Sequence, residues 1–194
     1  MSTTKAEIVS KADKIEGWFR YEELAALYEL ARKYLTKDDL AVEVGSWKGR
    51  SSFVLGSVCK EVGAKLICID TFAGSVKEDQ NYKEAEEMGG RDFMEKYIKK
   101  NLEGLPVEFM VEISEIAFNS FKDESIKFCF IDGDHTDPVI SQDLNNFWPK
   151  VKKGGLFAGH DYDTSCPDVV YALHQKFGMD FDKGVTGSIW FKEK

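Results

Sequence analysis

Leu40-Ala-Val-Glu-Val-Gly-Ser-Trp-Lys-Gly49 runs directly into Arg50-Ser-Ser-Phe-Val-Leu-Gly-Ser-Val-Cys-Lys60. The first half is a short apolar run that stops at Gly45, and it reads as a strand. The second half, from Ser51, places Phe53, Val54 and Val58 on one helical face, with Gly63 just past the end. A turn between strand and helix that carries Gly45 and Gly49 lets backbone approach a ligand closely. Any tight turn of this kind can also hold two glycines for packing alone.

Outward from this unit the same alternation continues. Lys65–Ile69 reads as a second strand ending at Asp70, Val107–Val111 as a third, and Ile126–Ile131 as a fourth, apolar enough to be covered on both faces. Leu156–Gly159 is a fifth, ending at His160-Asp161. Helices are expected at Tyr21–Tyr34, Ser114–Phe121 and Pro167–Phe177. Another should start with Asp137 as N-cap and Pro138 in the first helical position. It buries Ile140, Leu144, Phe147 and Trp148 and stops at Pro149 and Gly154-Gly155. Met179–Asp182 and Thr186–Phe191 suggest an antiparallel hairpin through Lys183-Gly184. The pattern defines an α/β domain with a mainly parallel sheet.

Composition narrows the field. The chain has 194 residues, 26 Lys+Arg against 34 Asp+Glu, and a net charge of −8. That length suits one domain, read as residues 1–194 with an N-terminal helical segment at 1–36. With 14 Phe, 7 Tyr and 4 Trp, the chain has ample apolar surface to bury and is not a disordered polymer. No apolar run approaches the roughly 18 residues of a membrane helix. The opening MSTTKAEIVSKADKIEG lacks a secretory apolar stretch, so a cytoplasmic location is expected. The acidic balance argues against a nucleic-acid partner. Cys59, Cys68, Cys129 and Cys166 match no zinc spacing and read as reduced thiols.

Ligands of such sheets bind beyond the carboxyl ends of the strands, where this chain concentrates its polar residues. Glu43 precedes the first glycine; it would oppose a pyrophosphate but suits a ligand with an ammonium group. Asp70, 21 residues after Gly49, can accept both hydroxyls of a ribose or serve as a solvated cap. Phe130-Ile-Asp-Gly-Asp-His135 closes the fourth strand with two carboxylates and an imidazole. Asp132, His160 and Asp161 could converge on a divalent cation, or form a hydrogen-bonded pair bracing the loop. Ala73–Gly104 is the most polar stretch. Its second half, Asp92–Leu102, is helical in spacing, while Lys77–Glu87 reads as a solvated helix or a lid hinged at Gly89-Gly90. Trp148, Trp190 and His174 read as structural, whereas Trp47 sits in the ligand loop.

VEVGSWKGRSS, ICIDTF, FIDGDH, WPKVKKGG and AGHDY occur in this order. Together they resemble class I S-adenosylmethionine-dependent methyltransferases, most of all the small bacterial branch related to macrolide-sugar and antibiotic O-methyltransferases. The resemblance runs from Gly17 to Trp190. It implies a Rossmann-like fold: a seven-stranded, mostly parallel sheet with the last strand antiparallel and helices on both faces. It implies S-adenosylmethionine held by Glu43, Gly45, Ser46, Trp47, Gly49 and Ser51, with Asp70 and Thr71 at the ribose. Glu112, Ile113 and Ser114 would border the adenine, and Asp132 the methionine end. The implied reaction is O-methylation of a small hydroxylated molecule, with Asp134, His135 or His160 as base. Metal-dependent relatives bind magnesium where Asp132, His160 and Asp161 stand, although His160 replaces their usual acidic or amide group. A nicotinamide-dependent oxidoreductase, a non-catalytic cofactor-binding protein and an N-methyltransferase are the rival readings. The expected partner is a small-molecule acceptor, with no membrane. Met1–Trp18 is read as an oligomer contact or a lid, which leaves a homo-oligomer open.

Overall fold

The computed structural model describes residues 3–73, 80–184 and 187–194. Its strands are β1 (Leu40–Val44), β2 (Lys65–Ile69), β3 (Val107–Met110), β4 (Ile126–Ile131), β5 (Val151–Gly159), β6 (Asp182–Lys183) and β7 (Trp190–Glu193). They form one sheet in the order β3-β2-β1-β4-β5-β7-β6. β1 to β5 pair in parallel, while β7 runs antiparallel between β5 and β6. The expected Rossmann-like sheet is therefore what the chain forms.

Eight helices accompany it among the described residues: α1 (Lys5–Ala12), α2 (Tyr21–Tyr34), α3 (Arg50–Val62), α4 (Gln80–Glu87), α5 (Gly90–Asn101), α6 (Ser114–Ala117), α7 (Val139–Phe147) and α8 (Pro167–Phe177). Alternation along the strands sends successive side chains to opposite faces. Ala41, Leu66, Phe128 and Leu156 meet Leu24, Leu27, Val54 and Val58 from α2 and α3. Val42, Cys129, Ile131 and Phe157 meet Leu144, Phe147, Val169 and Leu173 from α7 and α8. Phe72, Met94, Ile98 and Leu102 pack separately around α5.

Register brings the strand ends to one edge. Val44 pairs with Ile69 on one side and Ile131 on the other, and Ile131 pairs with Gly159. At Gly159 a Cβ would lie 2.4 Å from the Trp190 ring, so only glycine lets β7 cross there. Trp190 then donates from Nε1 to the His160 carbonyl at 3.1 Å, fixing the turn that leaves β5.

Some boundaries differ from the sequence reading. α7 starts at Val139 with Pro138 as N-cap, while the Asp137 carboxylate accepts from Ser141 Oγ instead of capping the backbone. β5 begins five residues earlier than Leu156, at Val151, running through Gly154-Gly155. The final hairpin is shifted toward the C-terminus, since β6 is Asp182–Lys183 and β7 starts at Trp190. Gly89 caps α5 in the left-handed region at φ 113°. Of the expected Lys77–Glu87 helix, residues 80–87 are helical and 77–79 lie outside the described residues. Cys59, Cys68 and Cys129 are buried thiols, Cys166 is half-buried, and no disulfide occurs among the described residues.

Candidate active site

A cavity of about 980 Å³ opens along the carboxyl edge of the sheet. The turn after β1 forms its floor. Asp70, at the end of β2, accepts from the backbone N–H of Ser46 at 2.7 Å and of Trp47 at 2.8 Å through Oδ2. Its Oδ1 accepts from the Phe72 N–H at 2.7 Å. Burial pushes the carboxyl up, and these backbone hydrogen bonds oppose it. Asp70 thus holds the floor of the cavity as well as lining it.

Gly45 is demanded by close approach. At φ 85° its Cβ would stand 2.1 Å from the Asp132 carbonyl oxygen. Trp47 adopts φ 45° and lines the cavity, with its ring centroid 5.9 Å from that of Trp18. Gly45, Ser46, Trp47, Ser51, Asp70, Thr71, Glu112, Ile113, Ser114 and Asp132 all lie on the cavity wall.

Glu43 and Gly49 are off it. Glu43 is 0% exposed and points between β1 and α3, where its Oε2 accepts from Ser46 Oγ at 2.8 Å and from Ser52 Oγ. Burial raises its pKa against these bonds, and Oε1 has no hydrogen-bond partner among the described residues. Glu43 therefore braces the loop through Ser46 and Ser52 from behind the cavity wall. Gly49 caps α3 at φ 90° and faces Ile98.

The other end of the cavity gathers His135, His160, Asp132, Asp134 and Asp161. His160 is 7% exposed and stacks on Phe19 with ring centroids 4.1 Å apart. Its Nδ1 lies 3.2 Å from Asp161 Oδ1 and 3.8 Å from Asp132 Oδ1, and its Nε2 3.5 Å from Glu23 Oε2. Burial opposes charge on the ring. Asp161, Glu23 and Asp132 outweigh it and push His160 up to about 10. His135 Nε2 stands 2.8 Å from Asp161 Oδ2. Despite burial, Asp161 is held well below the usual carboxylate range by the two imidazoles. Asp132 goes the other way: burial and the Asp161 charge push it up to about 8, against the pull of both histidines. His160, which the sequence offered as a candidate base, thus has a carboxylate facing each ring nitrogen. Asp134 lines the cavity with Oδ1 accepting from Thr136 N–H at 2.8 Å and Thr136 Oγ1 at 2.6 Å.

Several wall residues come from the N-terminal part of the chain, where the sequence reading went no further than an oligomer contact or a lid over Met1–Trp18. Glu16, Trp18, Phe19, Arg20 and Glu23 line it from the entry to α2. Glu23 is 2% exposed and accepts from Arg20 N–H at 2.8 Å and Arg20 Nη2 at 2.6 Å. Despite burial, His160 and Arg20 bring it down to about 2. Read locally, Glu23 at the third position of a helix is a capping residue; its approach to His160 is purely tertiary. Lys48, fully buried, pairs with Glu16 at 2.9 Å and with Glu84 of α4. Arg50 is turned toward the N-terminal segment, donating to the Ile15 carbonyl at 2.7 Å.

Sheet order and the cavity along its carboxyl edge, across β3-β2-β1-β4-β5, define a Rossmann-like protein. A family model described as a methyltransferase domain matches residues 42–162, and the chain belongs to that family. Solved structures agree on the fold. The O-methyltransferase NovP is similar at a TM-score of 0.67 and 17% identity, over 90% of this chain and 80% of that one. CalS11, a TDP-rhamnose 3'-O-methyltransferase of calicheamicin biosynthesis, gives 0.57 and 14%, over 97% and 93%. The S-adenosylhomocysteine-bound methyltransferase PaMTH1 of Podospora anserina gives 0.61 and 13%, over 98% and 87%. No described helix is long and apolar enough to cross a membrane.

Proposed function

We propose that the chain transfers the methyl group of S-adenosylmethionine to a hydroxyl of a small molecule. The observation that carries this is the joint placement of an Asp70-braced turn and a carboxylate cluster at the two ends of one cavity. A sulfonium and an ammonium gain from acidic walls, whereas a dinucleotide pyrophosphate would be repelled. The cofactor lies across Gly45–Trp47, with its ribose at Asp70 and Thr71 and its methionine end at Asp132.

The reaction is an in-line displacement. A bond forms between the acceptor oxygen and the methyl carbon, the sulfur–methyl bond breaks, and S-adenosylhomocysteine leaves. Positioning supplies most of the rate, since well-oriented pairs gain about 7–11 kcal/mol. The hydroxyl proton goes to Asp134, oriented by Thr136; a base of this kind contributes ~10²–10⁴-fold. His160 and His135 flank Asp161 and hold the wall in place.

A metal is the other expectation of the family. Asp132, His160 and Asp161 offer atoms within 4.8 Å of one another. Magnesium wants an all-oxygen octahedral shell. Here the central donor is an imidazole whose two nitrogens already face carboxylates. The set does not fit magnesium, and no step is assigned to a metal.

Calorimetry with S-adenosylhomocysteine, beside NAD and in metal-free buffer, tests the cofactor. Binding that weakens in Asp70→Ala is expected. Binding of NAD alone would overturn the reading. With an acceptor found from a panel of hydroxylated compounds, turnover should survive chelation and drop ~10²-fold or more in Asp134→Asn.

A further inference from the structure

Three donors of different chemistry meet on the β5 side of the cavity. They are the His135 imidazole from the loop after β4, the Asp161 carboxylate just past β5, and the Cys166 thiol at the start of α8. Their ligating atoms all lie within 4.8 Å of one another. No spacing in the sequence announces this set, because three separate elements supply one donor each. It shares only Asp161 with the group formed by Asp132, His160 and Asp161.

The chain itself makes little use of these atoms. His135 Nε2 stands 2.8 Å from Asp161 Oδ2, yet it is sealed from solvent and has no hydrogen-bond partner among the described residues. A buried nitrogen in that condition is costly. Two polar atoms that approach this closely without hydrogen-bond alignment are placed as two ligands of one ion are. Asp161 divides its oxygens, with Oδ1 3.2 Å from His160 Nδ1 and Oδ2 at His135. Cys166 is the N-cap residue of α8, but its side chain makes no cap hydrogen bond, and its Sγ contacts Ser165 Oγ at 3.8 Å. Burial and the Asp161 charge push the thiol up, so it stays protonated until a cation takes the sulfur.

An imidazole, a carboxylate and a thiolate together make a zinc set, not a magnesium set. Tetrahedral zinc holds such ligands at about 2.0–2.3 Å, which spaces them roughly 3.3–3.6 Å from one another. The observed separations, from 2.8 Å up to 4.8 Å at most, bracket that spacing. All three residues line the cavity, so a fourth position on that side is left for water or a small ligand. Asp132, Asp134 and Asp163 on the same wall add charge that favours a dication. Asp161 Oδ1, held at His160, supplies the outer contact that orients a metal ligand.

We propose that His135, Asp161 and Cys166 form a zinc site, binding the ion through Nε2, Oδ2 and Sγ. The thiol proton passes to solvent as the ion binds. Occupied, the site ties the loop after β4, the end of β5 and the start of α8 together. It goes beyond the methyl-transfer reading and does not rest on it, and no step of the transfer passes through it.

The test uses the full chain, reduced and freed of metal, with zinc and then cobalt(II) as the only probes. Calorimetry should show one zinc per chain with a Kd on the order of 1 μM or below, and excess magnesium should not displace it. Cobalt(II) should give the thiolate-to-metal charge-transfer band and the intense visible bands of a tetrahedral site. Cys166→Ser should abolish the charge-transfer band and weaken zinc by at least ~100-fold, since even an outer contact is worth ~10–100-fold. His135→Gln should weaken zinc comparably, and Asp132→Asn should weaken it less than either. Absence of zinc binding by wild type overturns the site. So does a cobalt spectrum without the thiolate band, which needs no variant to fold. Zinc affinity that survives Cys166→Ser but is lost in Asp132→Asn would place the ion on Asp132, His160 and Asp161 and overturn it equally. No S-adenosyl ligand enters these measurements, so their failure leaves the cofactor reading standing.

Discussion

Glu43 and His160 are both buried ionisable groups in contact with the walls of one cavity, but their surroundings treat them differently. Glu43 accepts from the Ser46 and Ser52 hydroxyls, whereas His160 has a carboxylate facing each ring nitrogen. Replacing Glu43 by Ala leaves Ser46 and Ser52 without their acceptor and opens a void. A loss of about 2–4 kcal/mol is expected in a urea titration. S-adenosylhomocysteine affinity should fall as well, although Glu43 does not reach the cavity; unchanged affinity would mean that Asp70 alone holds the turn. The Glu23–His160 pair makes a prediction with a sign. Glu23 ordinarily titrates at 4.5 and here at about 2, so its stabilisation is complete above 4.5 and is lost as pH falls toward 2. His160 ordinarily titrates at 6.5 and here at about 10, so its stabilisation is complete below 6.5 and is lost as pH rises toward 10. Both hold fully between 4.5 and 6.5. Thermal melts of Glu23→Gln should therefore show the largest deficit in that window, narrowing from about pH 5 to about pH 3. A deficit that is flat with pH would show that packing, and not charge, is what the substitution removes.

Elements show where local sequence suffices and where it does not. α2, β1, β2 and β4 run over the residues that their apolar periodicity marks, Tyr21–Tyr34, Leu40–Val44, Lys65–Ile69 and Ile126–Ile131. Each is buried along a face or on both, so hydrophobic pattern alone defines it. The start of β5 is set differently: Val151 pairs with Ile126 across a register shift, and polar Lys152 and Lys153 hide a strand that pairing with β4 imposes. At the level of element contacts, Gly45 decides how near the β1 and β4 ends can come. Gly45→Ala combines a left-handed backbone with a Cβ 2.1 Å from the Asp132 carbonyl. We expect ~3 kcal/mol or more of destabilisation, and loss of cofactor binding in the fraction that remains folded. Lys48 joins three separate pieces, the β1 turn, Glu16 and α4, through one ammonium. In Lys48→Met the stem stays packed and both carboxylates can turn to water. Global stability should shift by about 1 kcal/mol or less, while amide exchange in 80–87 and around Glu16 accelerates. Unchanged exchange would show that α4 is held by packing alone.

For the whole molecule, the sequence displayed the site as a list of strand ends, and sheet order turned that list into a cavity. What the list lacked is the wall built by Glu16–Glu23, because nothing local says that the start of α2 meets the end of β5. It also lacked Asp143, whose helical spacing places it in a core stripe, where a carboxylate looks like an exception to the pattern. The completed wall carries ten Asp and Glu side chains against Arg20, Lys48, Arg50 and the imidazoles of His135 and His160. Arg20, Lys48 and Arg50 are paired with Glu23, with Glu16 and Glu84, and with Asp13, and both imidazoles face Asp161. The chain's net charge of −8 adds a field of the same sign. A cationic cofactor is drawn into such a cavity, and an anionic acceptor is repelled from it. Among matched pairs of acceptors, neutral or amine-bearing alcohols should react with kcat/KM at least ~10-fold above their phosphorylated or carboxylated forms. Added salt should narrow that gap, because the repulsion at the cavity mouth is screened over about 8–10 Å. A preference for the anionic form that fades with salt would instead assign the acceptor's charge to Arg20, and Arg20→Gln would then abolish it.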